Sequence, residues 1–137
     1  MERTAVNPVG WGANFMMHQG EVITGATRTL HCSGQVALEE DANAPMGLSV
    51  VGAGDMRRQM QVALAALDDI LAGADMDRSN VVNLRFLTTD VDAFLEHYEV
   101  YAEWISKAGT MPTQTLVGVS RLVDPELMVE IEMTASA

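Results

Sequence analysis

Leu127-Met128-Val129-Glu130-Ile131-Glu132-Met133-Thr134-Ala135 alternates without a break. Leu127, Val129, Ile131, Met133 and Ala135 fall on one side, and Met128, Glu130, Glu132 and Thr134 on the other. Successive side chains of a strand point to opposite faces, so this is a strand with one buried face and one polar face. Outward from it, Thr113–Ser120 is a β-prone run, and Asn80–Thr88 is rich in Val, Leu and Phe. Thr29–Val36 alternates, with Leu30, Cys32 and Val36 on one side and Thr29, His31, Ser33 and Gln35 on the other. A strand between Phe15 and Thr24 carries weaker marks, and the Asn, Pro and Gly content of Glu39–Gly54 reads as a long loop.

Two segments carry the helical period. Met56, Met60, Ala63, Leu64, Leu67 and Leu71 recur at three- and four-residue steps, with Asp55 suited to the first turn and Gly73 to a left-handed residue past the end. Val91–Lys107 reads as a second helix, capped by Asp90, stopped by Gly109 and Pro112, with Phe94, Tyr98, Tyr101 and Ile105 inward. Two helices cannot cover both faces of a four- or five-stranded sheet. The expected class is therefore α+β, a two-layer sandwich with the helices on one face. The other face must meet water or another subunit, and Thr115, Val117 and Val119 are apolar enough for a subunit.

The 137 residues, read as residues 1–137 of one domain, suffice for a sizeable core. With 10 Met against 3 Phe, 2 Trp and 2 Tyr, that core must rely on aliphatic and thioether side chains, which pack adaptably. A net charge of −11 repels phosphate backbones, which excludes nucleic acid as an expected partner. No stretch reaches the ~20 apolar residues of a membrane span. The N-terminus shows no basic segment leading an apolar run, and Cys32 has no second cysteine to pair with. A reducing cytosol is the expected compartment, with no membrane partner.

Chemistry-bearing spacings are few. His18, His31 and His97 make no metal-ligand motif, and His31 and Cys32 point to opposite faces of a strand, so no metal is expected. Gly47, Gly52 and Gly54 form no phosphate-binding fingerprint, so no nucleotide cofactor is expected either. Ser33 lacks the glycine two residues before it that a nucleophile elbow needs. Glu130 and Glu132 admit two readings: a solvated strand face, or a carboxylate held in a cleft with a raised pKa to handle protons.

Ser33-Gly34-Gln35, Met111-Pro112 leading into Val119-Ser120-Arg121-Leu122, and Val129-Glu130-Ile131-Glu132 together resemble the reactive intermediate deaminase (RidA, or YjgF-like) family. The ordering agrees over about a hundred residues, close to one domain. The resemblance implies a chorismate-mutase-like subunit with a mixed sheet, a homotrimer, and small-molecule sites in clefts between subunits. It implies hydrolysis of enamines or imines to a keto acid and ammonia, without a cofactor. The family's serine and glutamate fall on Ser33 and Glu130. Its carboxylate-gripping arginine falls on Gln114, its helix asparagine on Tyr98, and a frequent cysteine on Leu116. Trp11 and Phe15 are both candidates for its N-terminal aromatic residue, and Arg85 is a candidate replacement cation or a surface ion-pair partner.

Gln114 is the departure that matters. A guanidinium makes two charge-assisted hydrogen bonds to a carboxylate, whereas an amide is neutral. Bonds to charged groups contribute about 1.5–3 kcal/mol against about 1 for neutral ones, so a carboxylate is held roughly tenfold more weakly or worse. The expectation is a deaminase-like hydrolase of a non-standard C–N compound, with Glu130 and Ser33 catalytic and Gln114, Tyr98, Trp11, Phe15 and Arg85 around the ligand. A homotrimer that only binds a metabolite, or only serves as a scaffold, is the alternative.

Overall fold

The computed structural model describes residues 1–137. Strands β1 (Glu2–Val6) and β2 (Gly20–Thr24) form an antiparallel hairpin. The main sheet contains β3 (Thr29–His31), β4 (Gln35–Val36), β7 (Val81–Thr88), β8 (Thr113–Gly118) and β9 (Val129–Ser136). A small hairpin, β5 (Leu38–Glu40) with β6 (Leu48–Val50), occupies part of the expected loop. The helices are α1 (Met56–Gly73), α2 (Val91–Glu96) and α3 (Glu99–Ser106). The sheet is mixed, in the order β3-β9-β7-β8 with β4 also on β9; only β7 and β8 run parallel.

Strand β9 is the sheet's centre, and its alternation is realised from Val129 on: Val129, Ile131, Met133 and Ala135 are buried. These four meet Leu84 and Phe86 from β7, and Met60, Leu64 and Leu67 from α1, in one core. Leu127, read as part of the strand, precedes it and is buried with Ala37 and Leu122. Asp55 caps α1 by accepting from the Arg58 N–H. Gly73 stays helical, and the left-handed residue is Asp75 (φ 54°), two positions later than expected. Inside the apolar stripe of α1, Gln59 is fully buried. Its Nε2 donates to Gly52 O (3.1 Å) and Glu126 O (2.9 Å), and its Oε1 accepts from Met128 N–H (2.7 Å). One amide thus joins two loops.

Two expectations need correction, and one strand was not expected. Thr29–Val36 is two strands, not one: β3 pairs in the register Leu30↔Ala135, whereas β4 resumes as Gln35↔Ile131 and Val36↔Glu130. The register sums differ by one, so an extra residue at Ser33-Gly34 makes a bulge. It turns Val36 onto the face of Glu130, away from Leu30 and Cys32. The helix expected over Val91–Lys107 is likewise broken, because the turn at His97–Tyr98 tightens to three-residue bonds such as Tyr98 N–H to Leu95 O (3.3 Å). Asp90 does cap it, accepting from Ala93 N–H. Finally, β1 had no period to announce it. Arg3 holds the N-terminal hairpin in place by a bidentate pair with Glu21 (2.7 and 2.8 Å) and bonds to Ser79 O (2.6 Å) and Val81 O (2.9 Å).

Candidate functional site

Glu130 leaves the open face of β9, beside Val36 on β4 and Leu87 on β7. Its carboxylate lies over the bulge: a Cβ at Gly34 would collide with it. Glycine leaves Glu130 this seat, because the carboxylate occupies the space a Cβ would take. Ser33, the exposed residue of the bulge, is adjacent. Partial burial, and then the neighbouring Glu132 charge, push the Glu130 carboxyl above the usual carboxylate range. Glu132 in turn faces Arg85 at 3.7 Å, with both side chains well exposed.

The second cluster lies across the sheet. Gln114 pairs in register with Leu84, so it shares the helix-covered face, whereas Thr115 and Val117 share the open face with Arg85 and Leu87. Gln114 Nε2 donates to Phe15 O (2.8 Å) and to the Tyr98 hydroxyl (2.5 Å), and that hydroxyl donates to Phe15 O (2.6 Å). Burial pushes the Tyr98 hydroxyl up to about 12, so it stays protonated. Trp11, Phe15, Phe86, Tyr98, Gln114 and Leu116 line a cavity of about 210 Å³. Edge-on ring contacts run through it, Trp11 to Phe15 at 6.3 Å and Phe15 to Tyr98 at 5.9 Å. Both N-terminal aromatic candidates therefore belong to this cavity. The tightened turn before α3 carries Tyr98, and the Trp11–Phe15 turn ends in a left-handed Met16 (φ 54°).

Within one chain the expected site residues form two groups, not one. Glu130 and Arg85 are on the open face, with Ser33 exposed in the bulge next to Gly34; Gln114, Tyr98, Trp11 and Phe15 are on the other side of the sheet at the β8 edge. Arg85 does not reach the cavity beside Gln114; it pairs with Glu132. Gly34 and Phe86 were not singled out from sequence. Gly34 had a signal, since it lies inside Ser33-Gly34-Gln35, whereas Phe86 reads as an ordinary core residue of β7.

A family model described as endoribonuclease L-PSP covers residues 18–137. The chain belongs to this Rid/YjgF-like family. A Rid-family structure, YyfB from Yersinia pestis, is 31% identical with a TM-score of 0.81, covering 100% of both chains. A RutC family protein from Aquifex aeolicus is 29% identical over 103 residues, 74% of this chain and 77% of its own. TdcF from E. coli, a structure with bound serine, shares the fold at 24% identity and a TM-score of 0.67, covering 97% of this chain and 93% of its own. The family membership places this Rid/YjgF-like chain among proteins of small-molecule deaminase or endoribonuclease type. None of its helices is long and apolar enough to cross a membrane.

Proposed function

We propose that this Rid-family chain is a deaminase-like hydrolase of an enamine, imine or related C–N compound, working in a cleft between copies of a homotrimer in the cytoplasm. The observation that carries the reading is the seat of Glu130 over Gly34, with its carboxyl raised by burial and by Glu132. A carboxyl so tuned gives a proton to an enamine carbon, forming the iminium ion, and its carboxylate then takes a proton from attacking water and hands it to the nitrogen. The C–N bond breaks as ammonia leaves, and a carbonyl product remains. Ser33 and Gln114 orient the ligand. Because Gln114 and Glu130 leave opposite faces of one sheet, only a second copy brings both to one molecule, and the open face carrying Thr115 and Val117 is its docking surface. The serine in the E. coli relative supports a ligand of small size.

An endoribonuclease reading is disfavoured by the −11 charge and by the cavity beside Gln114, which no charged side chain lines. The test is Glu130→Gln, which keeps shape and removes basicity: turnover of an imine panel should fall by about 100-fold or more, while light scattering still shows trimers. Unchanged turnover would sink the catalytic assignment. Binding without product in the wild type would leave a metabolite-binding trimer, the reading favoured by the loss of an arginine at Gln114.

A further inference from the structure

We infer that the cavity between Trp11, Phe15 and Leu116 is a hydrocarbon subsite, which seats an uncharged alkyl or aryl group of the ligand by apolar contact alone. This deepens the proposed function and rests on it only in taking the occupant to be part of a C–N ligand. Trp11, Phe15, Met17, Phe86, Leu95 and Leu116 give the cavity its apolar wall. The polar side-chain atoms of the other two lining residues, Gln114 and Tyr98, are spent inside the protein. Gln114 Nε2 commits both its protons, to Phe15 O (2.8 Å) and to the Tyr98 hydroxyl (2.5 Å). That hydroxyl commits its single proton to Phe15 O (2.6 Å), which fills the two lone pairs of the carbonyl. Gln114 Oε1 is sealed off and reaches no ligand. The one side-chain donor left over is the Trp11 indole N–H, on a residue 53% exposed and so served by water.

Charge and size narrow the occupant further. Tyr98 is the only titratable group in the wall, and burial pushes its hydroxyl up to about 12, so the cavity carries no charge at neutral pH. A carboxylate or ammonium entering it would give up water without gaining a counter-charge. The volume of about 210 Å³ exceeds the ~150 Å³ of a cavity that accepts benzene. It falls short of the ~300 Å³ at which sites for whole drug-sized ligands begin. The cavity therefore holds one group of a ligand, a single ring or a branched chain, and leaves the C–N end outside. It is too small for a helix or strand of a second copy, of which only a single side chain could compete for the space.

Binding of para-xylene, hydroquinone and terephthalate to the intact protein, followed by ligand-observed NMR, tests this. Each probe carries the same substituent at both ends of its ring, so one end must enter whichever way it points. para-Xylene should bind about tenfold more tightly than hydroquinone, whose inner hydroxyl finds no partner, and terephthalate should bind least. Leu95→Trp, at an exposed rim residue, and Leu116→Phe, which fills the cavity from β8, should each weaken para-xylene binding about tenfold with circular dichroism unchanged. Hydroquinone or terephthalate binding as tightly as para-xylene would overturn the inference. So would para-xylene binding that neither folded variant weakens, or no para-xylene binding because a second copy fills the cavity. Glu130→Gln separates the two readings, since it leaves para-xylene binding as in the wild type whatever happens to turnover. Imine turnover without para-xylene binding sinks the subsite alone; para-xylene binding without turnover sinks the hydrolase alone.

Discussion

At Glu130 the carboxyl is raised in the folded chain by burial and by Glu132, so folding favours its protonated form. A raised folded-state pKa contributes stability that is fully present below the unfolded value and lost as pH rises through the folded one. Glu130→Gln removes the ionised carboxylate and should therefore raise Tm at pH 7. The side chain is only partly buried and its charge is screened by solvent, so the gain is modest, about 0.5 kcal/mol or roughly 2 °C. Melting curves of the two proteins should converge below about pH 4, near the ordinary glutamate pKa; a constant offset at every pH would contradict this. Gly34 makes a second residue-level case. The atoms a Cβ would strike belong to the flexible Glu130 side chain, so Gly34→Ala should fold normally but swing the carboxylate off the bulge. The expected result is a loss of turnover close to that of Glu130→Gln with Tm changed by only a few degrees; full activity would show that the seat does not matter. Both residues were singled out or enclosed by the sequence motif, but their contact was invisible, since it depends on which strand β4 joins and in which register.

Elements differ in how much of themselves they announce. Strand β9 and helix α1 repeat their periods long enough to be read directly, and their buried faces match. Thr29–Val36 looked continuous because alternation persists on each side of a bulge; only pairing with β9 reveals the extra residue. Tyr98 kept helical spacing yet sits at a break, where α2 passes to α3. Gln59 was not singled out from sequence, and its burial rests on partners at Gly52, Glu126 and Met128 that only the fold brings to it. Gln59→Leu should leave those backbone groups unpaired and cost about 3 kcal/mol. Urea unfolding measures it, and a loss under about 1 kcal/mol would show that water replaces the amide.

For the whole molecule, the proposed function rests on the proposed assembly. One face of the sheet is covered by helices, while the face bearing Arg85, Thr115, Val117 and Glu132 is open in the single chain. Val117→Glu adds a charge to that half-buried surface beside Leu87, in a chain already at −11. Light scattering should find monomers, far-ultraviolet circular dichroism should stay unchanged, and turnover should be lost along with the trimer. Trimers that persist with full activity would place the interface elsewhere.

The α+β class, the one-sided burial of the sheet, the family resemblance and the absence of an arginine at position 114 were all legible before any fold was known, because each is written in local periodicity or residue identity. Tertiary structure alone decided that Glu130 rests on Gly34, that Gln114 spends its donors on Phe15 and Tyr98, and that these two groups lie on opposite sides of the sheet. The physical reason is that a strand's alternation fixes two faces but not which one is which for a neighbour. That assignment is made by pairing register, where a single inserted residue reverses it.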